Sequence, residues 1–144
     1  MKGDYNHTVD AKGRVTIPSR FREVLGDQFV ITRGFEGCLA AYPMKRWERI
    51  EKNLMALSLT NEAGRKLKRL FLGNASDCEV DKMGRVLIVQ PLRAAAGITK
   101  DVVITGLGEY VEIWDSGAWN RINGAGALEE LSDEELKSLS ELEL

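Results

Sequence analysis

The sequence predicts a mainly β protein with peripheral helices, an α+β fold in which short antiparallel strands form a small barrel. Three observations predict it. One unit occurs twice along the chain; each unit alternates short β-branched runs with glycine turns; and each places a short helix between its strand pairs. With 144 residues, 44% of them hydrophobic, the chain can bury a core as one mid-sized domain or as two small ones sharing a core.

The repeat is read by setting Val9-Asp10-Ala11-Lys12-Gly13-Arg14-Val15-Thr16-Ile17 above Val80-Asp81-Lys82-Met83-Gly84-Arg85-Val86-Leu87-Ile88. At an offset of 71 the Val, Asp, Gly, Arg, Val and Ile positions coincide, and Arg22 then matches Arg93 and Gly26 matches Gly97. A slip to an offset of 72 brings Val30 onto Val102, Gly34 onto Gly106, Trp47 onto Trp119, Arg49 onto Arg121 and Ile50 onto Ile122.

Within each unit a short strand (about 5–9, about 77–80) meets a turn at Asp-x-x-Gly. A second strand follows, Arg14–Ile17 or Arg85–Val89, rich in the β-branched residues that strands favour. Pro18 then opens a helix over Ser19–Leu25 that Gly26 ends; Pro91 opens Leu92–Ala96 before Gly97. Two more strands come next, Phe29–Thr32 and Cys38–Tyr42, matched by Val102–Thr105 and Tyr110–Trp114. A helix from Pro43 carries Trp47, Ile50, Leu54 and Leu57 on one apolar face. Residues 60–71 form a linking helix with Leu67, Leu70 and Phe71 inward and Arg65, Lys66, Lys68 and Arg69 outside. These readings divide the chain into a first repeat (1–58), a linking helix (59–73), a second repeat (74–122) and a tail (123–144). The tail opens with the breaker Asn123-Gly124-Ala125-Gly126, and Ser132 with Glu135 makes a capping box. Leu136, Leu139 and Leu142 follow as a narrow stripe that must dock or fray.

Composition excludes several classes. No apolar run approaches the roughly 20 residues of a membrane span, Val86–Val89 and Val102–Ile104 being strand-sized, and residues 1–7 lack the apolar core of a signal peptide. Cys38 and Cys78 stand alone with a single histidine, His7, which excludes a structural zinc site and suits a reducing cytoplasm. No metal and no cofactor are expected. The net charge of −2 conceals an asymmetry: residues 123–144 carry one lysine against seven acidic residues, net −6, leaving +4 on residues 1–122. An acidic tail on a mildly basic body permits an anionic partner.

Asp-x-x-Gly-Arg occurs at Asp10/Gly13/Arg14 and at Asp81/Gly84/Arg85. The Asp can accept hydrogen bonds from the turn's own backbone, and the Gly tolerates the positive φ of a tight hairpin. The Arg then leaves the turn at a strand start. Two uses stand open for it: a surface pair with the Asp that braces the turn, or a planar fork of donors for phosphate or guanine. Lys12, Arg20 and Arg22 near the first motif favour an anion; Asp77 and Glu79 near the second oppose it.

Asp10-x-Lys12-Gly13-Arg14-Val15-Thr16-Ile17-Pro18-x-x-Phe21-Arg22 resembles the signature of the MraZ family of bacterial regulators. Cys38-Leu39, Tyr42-Pro43, Trp47, Asp81-x-x-Gly84-Arg85, Ile88, Leu92-Arg93, Gly97 and Glu112-Ile113-Trp114-Asp115 extend the resemblance over roughly residues 1–120. One departure is the second unit's proline, displaced from the Ile17-Pro18 pattern to Ile88-Val89-Gln90-Pro91. The resemblance implies a pseudo-twofold barrel of two AbrB-like swapped-hairpin repeats. It also implies a cytoplasmic, nucleoid-associated regulator of transcription, a repressor that acts on its own promoter as well. Its partners would be double-stranded DNA, at short direct repeats upstream of the division and cell-wall gene cluster, and itself, as a ring-shaped homo-oligomer. Arg14 and Arg85 are the implied DNA-binding residues, with Lys12, Arg20, Arg22 and Arg93 as further candidates beside them.

Two other readings compete. A ring-forming scaffold without DNA suits the low net charge. A small cytosolic hydrolase would draw on Asp10, Asp81, His7, Cys38 or Cys78, yet nothing spaces these as a triad, and no Gly-x-Ser-x-Gly or His-Glu-x-x-His occurs. Gly106-Leu107-Gly108 reads as a hairpin turn. Trp47, Trp114 and Trp119 read as core and interface anchors.

Overall fold

A computed structural model describes residues 1–143. The elements run β1 (Lys2–Thr8), β2 (Arg14–Thr16), α1 (Ser19–Leu25), β3 (Gln28–Arg33), β4 (Leu39–Pro43), α2 (Met44–Met55), α3 (Glu62–Phe71), β5 (Ser76–Glu79), β6 (Arg85–Leu87), α4 (Gln90–Ala95), β7 (Asp101–Leu107), β8 (Val111–Asp115), α5 (Ser116–Asn123) and α6 (Asp133–Ser138). Helix α1 follows Pro18 and stops at Gly26, whose φ of +79° only glycine adopts freely. In α4 the displaced Pro91 sits inside the first turn, where a missing N–H costs nothing.

Six strands form one antiparallel sheet in the order β1-β7-β8-β4-β3-β5, and β2 pairs with β6 in a separate two-stranded ribbon. Exchanging the repeats reverses this order onto itself. The first strand of each repeat pairs with the hairpin of the other, β1 with β7 and β5 with β3, while β4 and β8 join the two hairpins at the centre. The repeats are therefore interwoven, and neither completes its sheet alone. The expected barrel is not closed: β1 and β5 remain as edges of an open sheet.

The main core is shared by both repeats. Val15, Ile17, Phe21, Phe29 and Ile31 meet Val86, Ile88, Leu92, Val102 and Ile104 in one buried cluster between the sheet, the ribbon and helices α1 and α4. The other face of the sheet is covered by α2 and α3, with Trp47, Leu54 and Phe71 packed on Val30, Ala40 and Tyr42. Trp114 and Cys38 pack with Trp119 of α5 on the same side. Burying the larger apolar side chains stabilises by roughly 1.5–3 kcal/mol each, so this three-layer arrangement rests on both repeats at once.

One detail of the repeat alignment is corrected. Val30 does not correspond to Val102 but to Val103: Ile31 opposes Ala41 and Ile104 opposes Ile113, and the two buried threonines, Thr32 and Thr105, match in the same way. A one-residue shift would move a strand's side chains to the wrong face of the sheet. The first hairpin takes up the difference in its longer loop, closed by Gly34 N–H to the Cys38 carbonyl, against Leu107 N–H to Tyr110 in the second.

Candidate nucleic-acid interface

The Asp-x-x-Gly-Arg turns are built alike and stand side by side. In the first, Asp10 Oδ1 accepts from the backbone N–H of Lys12 and of Arg14, both at 2.9 Å, and Asp10 Oδ2 accepts from Arg14 Nε at 2.8 Å. In the second, Asp81 Oδ1 accepts from Met83 and Arg85 N–H at 2.9 Å, and Asp81 Oδ2 from Arg85 Nε at 3.0 Å. Both carboxyls are held below their ordinary value of 3.8, chiefly by the backbone N–H of the following arginine, with the guanidinium adding to it against some desolvation.

Pairing in the ribbon sets Arg14 opposite Leu87, Val15 opposite Val86 and Thr16 opposite Arg85. Strand alternation sends Val15 and Val86 into the core, both 1% exposed, and turns Arg14, Thr16, Arg85 and Leu87 outward. Arg14 and Arg85 thus share one face, and Arg85 Nη1 also lies 3.9 Å from Asp10 Oδ2. Of the two uses left open for these arginines, the geometry shows the bracing one. Each Asp holds the side chain of its own arginine through the Nε alone, so the bracing fixes the guanidinium and leaves the terminal nitrogens without a hydrogen bond among the described residues, on side chains 32% and 25% exposed.

The other candidates divide. Lys12 is exposed in the first turn, and Arg20 is exposed on α1, beside a shallow cleft that His7, Thr16 and Arg22 also line. Arg22 and Arg93 are half-buried and form a reciprocal clasp. The Arg93 guanidinium lies behind Gly13, its Nη1 donating to the Ile88 carbonyl at 2.6 Å, and that of Arg22 lies behind Gly84. The ribbon closes the same exchange in its backbone: Ile17 N–H donates to Gly84 and Ile88 N–H to Gly13. Thr16, Leu87, Lys82 and Met83 also belong to the outward surface. Alternation marks the outward face in Arg14-Val15-Thr16, whereas Arg85-Val86-Leu87 carries no such signal.

The basic run of α3 lies across the sheet from the ribbon, and part of it is structural: Arg65 donates to the Leu59 carbonyl at 2.8 Å and Lys68 to Leu57 at 3.2 Å. Cys38 and Cys78 are buried, and desolvation pushes the Cys38 thiol far up and the Cys78 thiol to about 11. Among the described residues no cluster of His, Cys, Asp and Glu could hold a metal ion, and no helix is long and apolar enough to cross a membrane.

The family model "MraZ protein, putative antitoxin-like" matches residues 1–70 and again residues 71–138. The chain is 50% identical over 133 residues to the Transcriptional regulator MraZ of Carboxydothermus hydrogenoformans, covering 91% of this chain and 93% of the relative. It is 48% identical over 122 residues to that of Acetivibrio thermocellus, covering 85% of each, and 46% identical over 125 residues to that of Heliobacterium modesticaldum, covering 87% of each.

Proposed function

Because the chain belongs to the MraZ family, we propose that it is a transcriptional regulator that binds double-stranded DNA through the β2–β6 ribbon. The observation that carries the reading is the pair of arginines with fixed Nε and available terminal nitrogens on one outward face. The major groove of DNA admits a two-stranded ribbon, and a held guanidinium offers its two terminal nitrogens to guanine or phosphate with less ordering left to do. The alternative chemistry has little support: Asp10 and Asp81 are spent on their turns, and buried thiols with raised pKa values are poor nucleophiles.

In this proposal the repeats 1–58 and 74–122 form one pseudo-twofold unit, 59–73 links them, and 123–144 is an acidic appendage. Several copies assemble as a ring, which covers the open edges β1 and β5, and present identical ribbons to short direct repeats upstream of the division and cell-wall gene cluster, including the chain's own promoter. Such a regulator works in the cytoplasm, at the nucleoid, and as a repressor. A body of net charge +4 favours many weak contacts over one strong one.

A gel shift on the DNA upstream of this gene, against a scrambled duplex, tests the reading. Specific retardation is expected, and cutting three repeats to one should weaken binding by ~10²–10⁴ through lost effective concentration. Equal retardation of both duplexes would overturn DNA recognition; equal affinity for one repeat and three would overturn the multivalent part.

A further inference from the structure

The pseudo-twofold axis relates the two turns, but the outward face of the ribbon does not obey it. Where the first repeat has Lys12 and Thr16, the second has Met83 and Leu87. Met83 is 70% exposed and Leu87 49% exposed, while the neighbouring Val15 and Val86 are fully buried. Leu87 lies directly opposite Arg14 in the ladder and two positions along the strand from Arg85, and so flanks both arginines on their own face, at the corner diagonal to Thr16. A strand residue facing solvent beside two cations is ordinarily polar. Leucine there gains nothing for the folded chain.

We infer that Leu87, with Met83 in the turn that leads into its strand, reads thymine methyl groups in the major groove. The inference rests on the ribbon being the DNA-binding surface, as proposed above. The chemistry follows from the position. Arginine donors address the acceptors of guanine and the phosphates; the C5 methyl of thymine is the one apolar feature the groove displays, and an aliphatic side chain is its complement. The replacement also breaks the ribbon's symmetry. A strictly twofold surface would accept duplex in either direction, whereas one polar and one apolar half prefers a single direction.

The test is the fragment upstream of this gene amplified once with thymidine and once with deoxyuridine, which lacks only the methyl. The full-length protein should bind the deoxyuridine fragment more weakly, by roughly fourfold for each methyl contacted. Leu87→Ser should bind the thymidine fragment more weakly by a similar factor and no longer distinguish the two. Leu87→Thr, the residue of the first repeat, controls for strand propensity and should fall between them. Indifference of the parent protein to the methyl, or a Leu87→Ser protein that keeps the full difference, would overturn the inference. A fall in oligomer mass by light scattering in Leu87→Ser would also overturn it, assigning Leu87 to contact between copies. Failure of the parent protein to bind even the thymidine fragment would instead overturn the DNA-binding reading beneath it.

Discussion

The first repeat and the second present the same turn with different surroundings. Both turns use an Asp to bind two backbone N–H groups and one arginine Nε, with matching lengths within 0.2 Å. Around them the first repeat adds Lys12 in the turn and Arg20 on α1, and Arg93 stands behind it; the second has Lys82 in the turn and Arg22 behind it, with Asp77 and Glu79 in the strand before it. Arg14 answers to one carboxylate, yet Arg85 lies near two, Asp81 at 3.0 Å and Asp10 at 3.9 Å, and is the less exposed of the pair. The two repeats therefore share the device that holds an arginine and differ in its electrostatic setting.

The largest effect should come from breaking that pair. Arg14→Ala should abolish specific binding while the oligomer stays folded, because a base contact is worth roughly 1–3 kcal/mol per site and is lost from every copy at once. Arg85→Ala should weaken binding less, since two carboxylates already draw on its charge. Titrations of both variants at one salt concentration, with mass checked by light scattering, decide the order. If Arg85→Ala is the more damaging, the second repeat is the one that faces DNA.

The turn glycines sharpen the comparison on the side of stability. Gly13 and Gly84 have φ values of +89° and +79°, so alanine at either is strained by roughly 1–2 kcal/mol. At Gly13 the added methyl would also collide with Arg93 Nη1, which is held by its bond to Ile88. At Gly84 it would meet Arg22 Nη1 at 2.8 Å, and that guanidinium has a buried Nε without a partner and is freer to shift. Breaking a charged hydrogen bond costs roughly another 1.5–3 kcal/mol, so Gly13→Ala should lower the urea midpoint well below that of Gly84→Ala. Equal midpoints would show that the Arg93 bond yields at no cost.

The repeats diverge most at their ends. Helix α3 follows α2 as α6 follows α5, each opened by a side-chain cap, Asn61 to Gly64 N–H and Ser132 to Glu135 N–H. Yet α3 buries Phe71 and is basic, whereas α6 buries nothing and starts Asp133-Glu134-Glu135. An exposed segment of net charge −6 repels phosphate over about a Debye length. Truncation after Asn123 should tighten DNA binding several-fold at low salt and by little at high salt. Unchanged affinity at every salt concentration would make the tail electrostatically silent.

What was legible in the sequence was local. The turns, the helix starts at Pro18 and near Pro91, the apolar face with Trp47 and Leu54, and the capping box of Ser132 and Glu135 all depend on neighbours a few residues apart. What was not legible crosses between repeats. The clasp of Arg22 on the second turn and Arg93 on the first has no sequence spacing to announce it, so both arginines read as open cations. The slip of β3 against β7 was hidden because Val102 and Val103 are the same residue, and only pairing tells which faces the core. Closure of a barrel depends on whether edge strands meet, which no local pattern records; here β1 and β5 do not.

The smallest effect concerns acid, and it separates the turns through their carboxylates. Asp10 and Asp81 are both held below 3.8 in the folded chain, so each contributes stability that is fully present above the unfolded value and lost as pH falls through the lower folded one. Both groups are exposed, and water screens them. Asp10 has one attraction that Asp81 lacks, the approach of Arg85 across the ribbon at 3.9 Å. Asp10→Asn should therefore lower the urea midpoint slightly more than Asp81→Asn at about pH 7, since the amide keeps the shape and gives up the charge. As pH falls through those lowered values the parent carboxyls take up protons, so each variant should move back toward the parent protein and toward the other. Added salt at about pH 7 should narrow the gap in the same way. A gap between the two variants that persists unchanged in acid and in salt would place the asymmetry in the geometry of the turns and remove Arg85 from the account of Asp10.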